Sequence, residues 1–261
     1  MRHGMTKIDE IKQYWDDYII GIDVSDKLPG TDEFFDEIEA YHINKYGSES
    51  ESNKLIDFAR YKDKTILEIG CGWGCNLIQY ASAGAIATGI DLSPKTIELA
   101  KGYSQYKGIP AKFLVGNAEN LDFGDELFDV VISLGVLHHT PDTEQSIREV
   151  YRVLKPGGEA LIMLYNKYSW YNLLHLLSGT NIEHQEKDPP VIKMYSKKQV
   201  LSLFTEFSSV ETDISGLPAK TGKRKGFFAT LYNSIFVPAC RLVPASILNQ
   251  IGFHIVIRAT K

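Results

Sequence analysis

The sequence predicts an α/β domain built on a parallel sheet with helices over both faces, and three observations carry that expectation. From residue 65 onward, short β-rich runs alternate with segments of helical periodicity, the pattern of successive strand–helix–strand units. The runs are apolar at nearly every position, as strands are when helices cover both faces of their sheet. The chain has 261 residues, 44% hydrophobic and 23% charged, which suffices for one sizeable core without disulfide or metal staples.

The elements follow in order. Residues 8–20 (IDEIKQYWDDYII) place Ile8, Ile11, Trp15 and Ile19, with Tyr14 and Tyr18, at helical spacing, so an amphipathic helix is expected. A Pro-Gly turn leads into a second helix within residues 24–41, with Thr31 or Asp32 as its N-cap. The alternation then runs TILEIG (65–70), NLIQYASAG (76–84), AIATGID (85–91), PKTIELAKGYSQY (94–106), AKFLVGN (111–117), LFDVVISLG (127–135), TEQSIREVYRVL (143–154) and EALIMLY (159–165). Lys155-Pro-Gly-Gly stops one helix and leads into the next strand. After Tyr165 the rhythm breaks. Residues 166–195 are rich in aromatic and polar side chains and read as an insertion before the helix SKKQVLSLFTEF (196–207). SSVETDI (208–214) and FHIVIRAT (253–260) are the remaining strands.

Composition narrows the function classes. Three cysteines, Cys71, Cys75 and Cys240, make no disulfide framework or zinc spacing, so a reducing, cytoplasmic setting and no metal are expected. No signal-like N-terminus and no run of about 20 apolar residues occurs. Net charge is -5, distributed unevenly: residues 1–57 carry 14 acidic and 6 basic side chains, residues 214–261 none and 7. The ends are either two solvated faces attracted to each other or, at residues 216–250, a peripheral contact with an anion or membrane surface.

The chemistry-bearing segment is ILEIGCGWG (66–74), a strand running into a glycine turn and a helix. Glycine there permits a tight turn and close approach of a ligand to backbone. Asp91 ends the next strand, 23 residues after Glu68, where a carboxylate can accept hydrogen bonds from both hydroxyls of a ribose. The spacing is not that of a dinucleotide site: the third glycine comes two residues after the second rather than three, and Glu68 precedes the turn. A cationic or zwitterionic ligand suits Glu68 better than a diphosphate.

Residues 62–165 resemble the class I S-adenosylmethionine-dependent methyltransferases, with six motifs in order: E-x-G-x-G-x-G from Glu68 to Gly74, Gly-Ile-Asp-Leu-Ser at 89–93, Gly-Asn-Ala-Glu at 116–119, Phe-Asp-Val-Val at 128–131, Val-Leu-His-His-Thr-Pro-Asp at 136–142 and Arg-Val-Leu-Lys-Pro-Gly-Gly at 152–158. The resemblance implies a Rossmann-like seven-stranded sheet with its last strand antiparallel, an N-terminal helical lid (1–57), a cofactor-binding core (58–165), and an insertion, last helix and closing strands in the same domain (166–261). It implies S-adenosylmethionine as cofactor and S-adenosylhomocysteine as product. Gly70, Cys71, Gly72 and Gly74 would form the turn at the methionine part, Glu68 would organise the loop and the amino group, and Asp91 would hold the ribose. Leu92 would pack on adenine, Asn117, Ala118 and Glu119 would lie at the adenine edge, and Leu134 and Trp15 near the sulfonium. Position 117 departs from the commoner aspartate, although an amide oxygen can still accept from the adenine amino group.

His138 and His139 follow the fourth strand at the carboxyl edge, where open α/β sheets bind ligands. One imidazole would take or relay the acceptor's proton. The resemblance favours His138, with Asp142 orienting a ring. Tyr14, Tyr18, Tyr165, Tyr168 and Trp170 would line the acceptor site under the lid. His175 and His184 have no partner at metal-ligand spacing. The expected reaction is methyl transfer to a hydroxyl or amine of a small, partly apolar metabolite, without nucleic acid as partner. Action on a membrane lipid or quinone, on protein or RNA, and a non-catalytic cofactor-binding module stand as alternatives.

Overall fold

The computed structural model describes residues 6–46, 57–179, 181–183, 186–216 and 250–261, with single positions 234, 238 and 244. Parallel strands β1 (Thr65–Ile69), β2 (Ile86–Asp91), β3 (Lys112–Val115), β4 (Phe128–Leu134) and β5 (Leu154–Asn166) form most of the sheet. Strand β8 (His254–Thr260) lies antiparallel between β5 and β7 (Ser209–Ser215). The order is β3-β2-β1-β4-β5-β8-β7, the expected seven strands. It reverses direction between β1 and β4, and a crevice opens there at the carboxyl ends.

An eighth strand was not anticipated. Leu134 at the end of β4 pairs with Met163, so β5 outruns β4 by three residues. The two-residue β6 (Met194–Tyr195) pairs in parallel with Tyr165 and Asn166, satisfying backbone groups that would otherwise be unpaired. It brings the insertion back beside the crevice.

Helices α3 (Cys75–Ser82), α4 (Pro94–Lys107) and α5 (Thr143–Val153) connect the parallel strands as read from periodicity. Helix α1 (Lys7–Asp17) begins with a capping box: Thr6 Oγ1 accepts from Asp9 N–H, and the Asp9 carboxylate accepts from Thr6 N–H. It stops before Tyr18, earlier than the apolar spacing suggested. Thr31 is the cap of α2 (Asp32–Tyr46), its hydroxyl accepting from Phe34 N–H. Phe34, Phe35 and Ile38 are buried with Trp73, Ile97 and Tyr103, so α2 packs in the α3–α4 core, and with α1 it also reaches the cleft through Ile38, Tyr41 and His42. Burial of each such side chain contributes about 1.5–3 kcal/mol. Inside the insertion lies α6 (Trp170–Ser178), and α7 (Lys197–Leu203) is shorter than its apolar pattern because Phe204 and Phe207 turn into the core.

Candidate active site

The crevice holds a cavity of about 870 Å³ reaching from the turn between β1 and α3 to the ends of β5 and β8. Its cofactor-side wall begins with the glycine turn. Gly70 and Cys71 both donate their N–H to Ile90 O, at 2.8 and 3.0 Å. Gly70 has φ +72°, and a Cβ there would lie 2.2 Å from Val136 Cγ2. Gly72 has φ +54°, and a Cβ there would meet nothing in the protein; it would project where the turn faces the cavity. Gly74 caps α3, with Phe113 3.0 Å from a Cβ at that position, and does not line the cavity.

Asp91 accepts from Gly72 N–H at 3.1 Å and from Ser93 N–H at 3.0 Å, which locks its carboxylate to the turn. Leu92, Asn117 and Ala118 continue this wall. Asn117 Oδ1 accepts from Glu119 N–H at 3.0 Å. Glu68 is buried, and its Oε2 has no hydrogen-bond partner among the described residues. Burial pushes its carboxyl up to about 8, opposed by a hydrogen bond from Asn76 and reinforced by nearby Asp91. A buried carboxylate oxygen without a donor is a place for a cation.

The other lobe is lined by Leu134, Leu161, Met163 and Val256 as an apolar floor, with His139, Tyr165, Glu183 and His254 at its polar end. His139 Nδ1 lies 2.8 Å from Val191 O, and its Nε2 lies 3.3 Å from Glu183 Oε1. The Tyr165 hydroxyl donates to the same carboxylate. Burial pushes the Glu183 carboxyl up, but His139 beside it and the Tyr165 hydroxyl hold it below its ordinary value. Burial pushes His254 down to about 4. Trp15 meets His139 edge-on at 5.3 Å. Tyr14 donates to Lys187 O at 2.8 Å, and Tyr18 lies 3.4 Å from Glu186 Oε2. Helix α1 and the insertion thus meet over the cavity. Asp16, bonded to Ser93 Oγ at 2.5 Å, ties α1 to the start of α4.

Several expected roles change. His138 is fully buried, does not line the cavity, and packs its ring 3.8 Å from that of Tyr165. Burial holds it well below the ordinary histidine range, and neither ring nitrogen has a hydrogen-bond partner among the described residues. Of the adjacent pair, it is His139 that lines the cavity. Asp142 orients neither ring; it caps α5 by accepting from Gln145 N–H. Glu119 lies off the cavity and accepts from Asp142 N–H at 2.5 Å. Tyr168 is 66% exposed and outside the cavity. Trp170 is buried behind it, donating Nε1–H to Gly216 O at 2.8 Å. Sequence reasoning missed Glu183 and His254: one sits in an aperiodic loop, the other reads as an ordinary strand residue. His184, Cys240 and nearly all of 216–250 lie outside the described residues.

Among the described residues no Lys or Arg lines the cavity. A diphosphate would therefore face Glu68 and Asp91 without a countercharge. An amino-acid-bearing nucleoside with a sulfonium suits both carboxylates, Glu68 for the ammonium and Asp91 for the ribose, with Gly72 leaving room for close approach. This cleft and sheet order are those of the class I S-adenosylmethionine-dependent methyltransferase fold.

Comparison with known proteins agrees: residues 67–162 match the family described as a methyltransferase domain. A norajmaline N-methyltransferase of Rauvolfia serpentina is 36% identical over 132 residues, 46% of this chain and 45% of that protein. A ubiquinone biosynthesis O-methyltransferase of Saccharophagus degradans is 32% identical over 117 residues, 44% of this chain and 50% of that protein. The chain thus spans about half the length, or less, of these curated relatives. A solved S-adenosylmethionine-dependent methyltransferase of Thermotoga maritima, described as a possible histamine N-methyltransferase, has TM-score 0.55 over 88% of this chain and 97% of that one, at 18% identity; this supports the fold.

Proposed function

We propose that the chain transfers a methyl group from S-adenosylmethionine to a hydroxyl or amine of a small, partly apolar molecule. The observation that carries this reading is one continuous cavity with a carboxylate-bearing nucleoside cradle at one end and an apolar lobe ending in His139 and Glu183 at the other. When bound, the cofactor supplies an electrophilic methyl on a positively charged sulfur. Glu68 holds the ammonium, Gly70 to Gly72 admit the methionine backbone, Asp91 takes the ribose hydroxyls, and Leu92, Asn117 and Ala118 bound the adenine. Leu134 and Trp15 border the space where the two ends meet, and Tyr14 and Tyr18 hold α1 over it. His139 receives the acceptor's proton. Holding the reacting groups in line is worth about 7–11 kcal/mol in well-oriented systems.

The relatives methylate nitrogen in one case and oxygen in another, by their names, which supports a small-molecule acceptor without choosing the atom. The apolar floor supports a lipophilic acceptor body. Among the described residues no helix is long and apolar enough to cross a membrane. Calorimetry with S-adenosylhomocysteine and with NAD tests the cofactor assignment. Binding of the first alone is expected, weakened at least tenfold, about 1.4 kcal/mol, by Asp91→Ala. Unchanged affinity in that variant rejects the ribose role.

A further inference from the structure

We infer that His138, His139 and Glu183 form a binding site for a zinc-type divalent ion in the wall of the acceptor lobe, where the ion joins the insertion to the core. The ligand-type atoms of these three side chains lie within 4.8 Å of one another. His139 Nε2 and Glu183 Oε1 are 3.3 Å apart without making a hydrogen bond. That separation is the edge of a tetrahedron around an ion roughly 2.0–2.1 Å from each ligand. His139 Nδ1 lies 2.8 Å from Val191 O; a carbonyl only accepts, so the hydrogen sits on Nδ1 and the Nε2 lone pair is turned toward Glu183. A ring nitrogen held in this way by a backbone carbonyl is the usual support of a metal-ligating histidine. His138 completes the set: it is fully buried, and neither of its ring nitrogens has a hydrogen-bond partner among the described residues. A buried imidazole with both nitrogens unsatisfied is costly unless some partner meets it. Bringing its nitrogen from at most 4.8 Å to the tetrahedral spacing of roughly 3.4 Å takes a small movement of the ring.

The surroundings hold the three groups in place. The 3₁₀ turn Leu137–His139 sets the two imidazole rings 4.2 Å apart by their centroids. Ile182 and Glu183 both donate their N–H to Asp188 Oδ1, at 2.7 and 2.9 Å, which fixes the loop that carries the carboxylate. The Tyr165 hydroxyl donates to Glu183 Oε1. Two imidazoles and one carboxylate suit zinc, whereas magnesium and calcium take oxygen ligands. Ferrous iron uses the same donor set but keeps several open positions in an octahedron. Here the Tyr165 ring, packed 3.8 Å from His138, closes one side of the group and favours four-coordinate zinc. His139 and Glu183 line the cavity and His138 does not, so the fourth position lies on the cavity side. The expectation of no metal came from the cysteines, whose spacing says nothing of ligands assembled by a turn and an aperiodic loop. The site goes beyond the proposed methyl transfer and does not depend on it. With the ion on Nε2 that atom takes no proton, so the zinc-loaded wall and the wall in which His139 acts as a base are alternative states.

The test titrates the full chain, prepared without an affinity tag and stripped with a chelator, with zinc and separately with magnesium in a calorimeter. One zinc per chain with a Kd of about 1 µM or tighter is expected, and no magnesium. His139→Asn and Glu183→Gln should each weaken zinc at least about a hundredfold, and His138→Phe at least about tenfold, with cooperative melts showing that each variant is folded. Cobalt in place of zinc should give the visible bands of a tetrahedral nitrogen–oxygen site without thiolate-to-metal absorption. Amide exchange in residues 186–193 should slow when zinc is added to the wild type and not in Glu183→Gln, because the ion ties that loop to the histidine turn. The inference is overturned if no equivalent of zinc binds, if His139→Asn or Glu183→Gln keeps wild-type affinity, or if magnesium binds as tightly as zinc. Thiolate absorption overturns it too, since the ion would then sit on cysteine. S-adenosylhomocysteine binding is measured on the same preparation: its presence without zinc rejects this site alone, and its absence with zinc bound rejects the methyl-transfer reading alone.

Discussion

Cofactor binding should release a proton from Glu68. In the free protein, burial holds this carboxyl at about 8, so at pH 7 it is about 90% protonated. An ammonium placed against Oε2 favours the charged form; if it brings the carboxyl to about 5 or below, binding at pH 7 expels about 0.9 proton. Affinity then carries a protonation penalty of about 1.4 kcal/mol at pH 7 and about 2.7 at pH 6, so it strengthens close to tenfold over that interval. Calorimetry of S-adenosylhomocysteine binding in phosphate and in Tris at equal pH gives the proton count from the difference in heats. Glu68→Gln should bind more weakly and show neither proton release nor this pH slope. The same group governs stability of the free protein. Its folded pKa lies above the unfolded value of 4.5, so the folded state loses relative stability as pH rises from 4.5 to about 8 and is level beyond. The loss is of order a few kcal/mol, and Glu68→Gln should remove it, raising Tm at pH 8 relative to wild type. A wild-type protein that exchanges no proton on binding at pH 7, or a Gln variant with the wild-type pH slope, refutes the reasoning.

The remaining predictions concern neighbouring parts of the cleft. His139→Asn should lower turnover by about 10²–10⁴, whereas His138→Phe, replacing a ring whose nitrogens make no hydrogen bond among the described residues, should cost about 1–3 kcal/mol of stability for its extra volume and leave turnover within severalfold; steady-state rates and melts decide between them. Gly70→Ala should destabilise the fold by about 2–5 kcal/mol, since the methyl meets Val136 in a left-handed backbone, while Gly72→Ala should cost only about 1–2 kcal/mol in denaturant melts yet weaken S-adenosylhomocysteine binding at least tenfold. Amide exchange in residues 8–20 should slow when S-adenosylhomocysteine is added; identical exchange would remove α1 from the lid.

The parts of the site legible in the sequence are those whose chemistry is local. The turn from Glu68 to Gly74 announces itself because left-handed backbone selects glycine at 70, 72 and 74, and Asp91 because the end of β2 is fixed by one strand's length. Asn117, Ala118 and Leu134 came from the family resemblance alone; each lies at or just beyond a parallel strand and lines the cavity. Glu183 and Val191 were illegible. Their positions depend on β6 pairing with the overhanging end of β5, a two-residue contact with no periodicity to reveal it. Tyr168 and Trp170 failed in the opposite way. Aromatic composition suggested a lid, but Ser169 caps α6 between them; the Tyr168 ring is turned to solvent, while the Trp170 ring donates to Gly216 O and its backbone N–H to Ile251 O.

The two histidines show why adjacency in sequence cannot assign roles. In an extended segment His138 and His139 would point to opposite faces; in a helix they would diverge by about 100°. They instead form the 3₁₀ turn Leu137–His139, and its orientation is set from both sides. Lys193 N–H donates to His138 O at 2.9 Å, and Val191 O faces His139 Nδ1, so one short stretch of the insertion holds both the backbone of one histidine and the ring of the other. His138 is left with its ring between Tyr165 and His139, where an uncharged imidazole packs as an aromatic, and His139 turns Nε2 toward Glu183 at the cavity wall. A change that lengthens the 182–193 connection should therefore disturb His139 before it disturbs the cofactor cradle, which depends on β1, β2 and the glycine turn. Loss of turnover with S-adenosylhomocysteine affinity retained is the expected signature of a Gly-Ser insertion after Pro190, measured by initial rate and calorimetry on the same preparation. Parallel loss of both would mean that the insertion supports the cradle as well as the base.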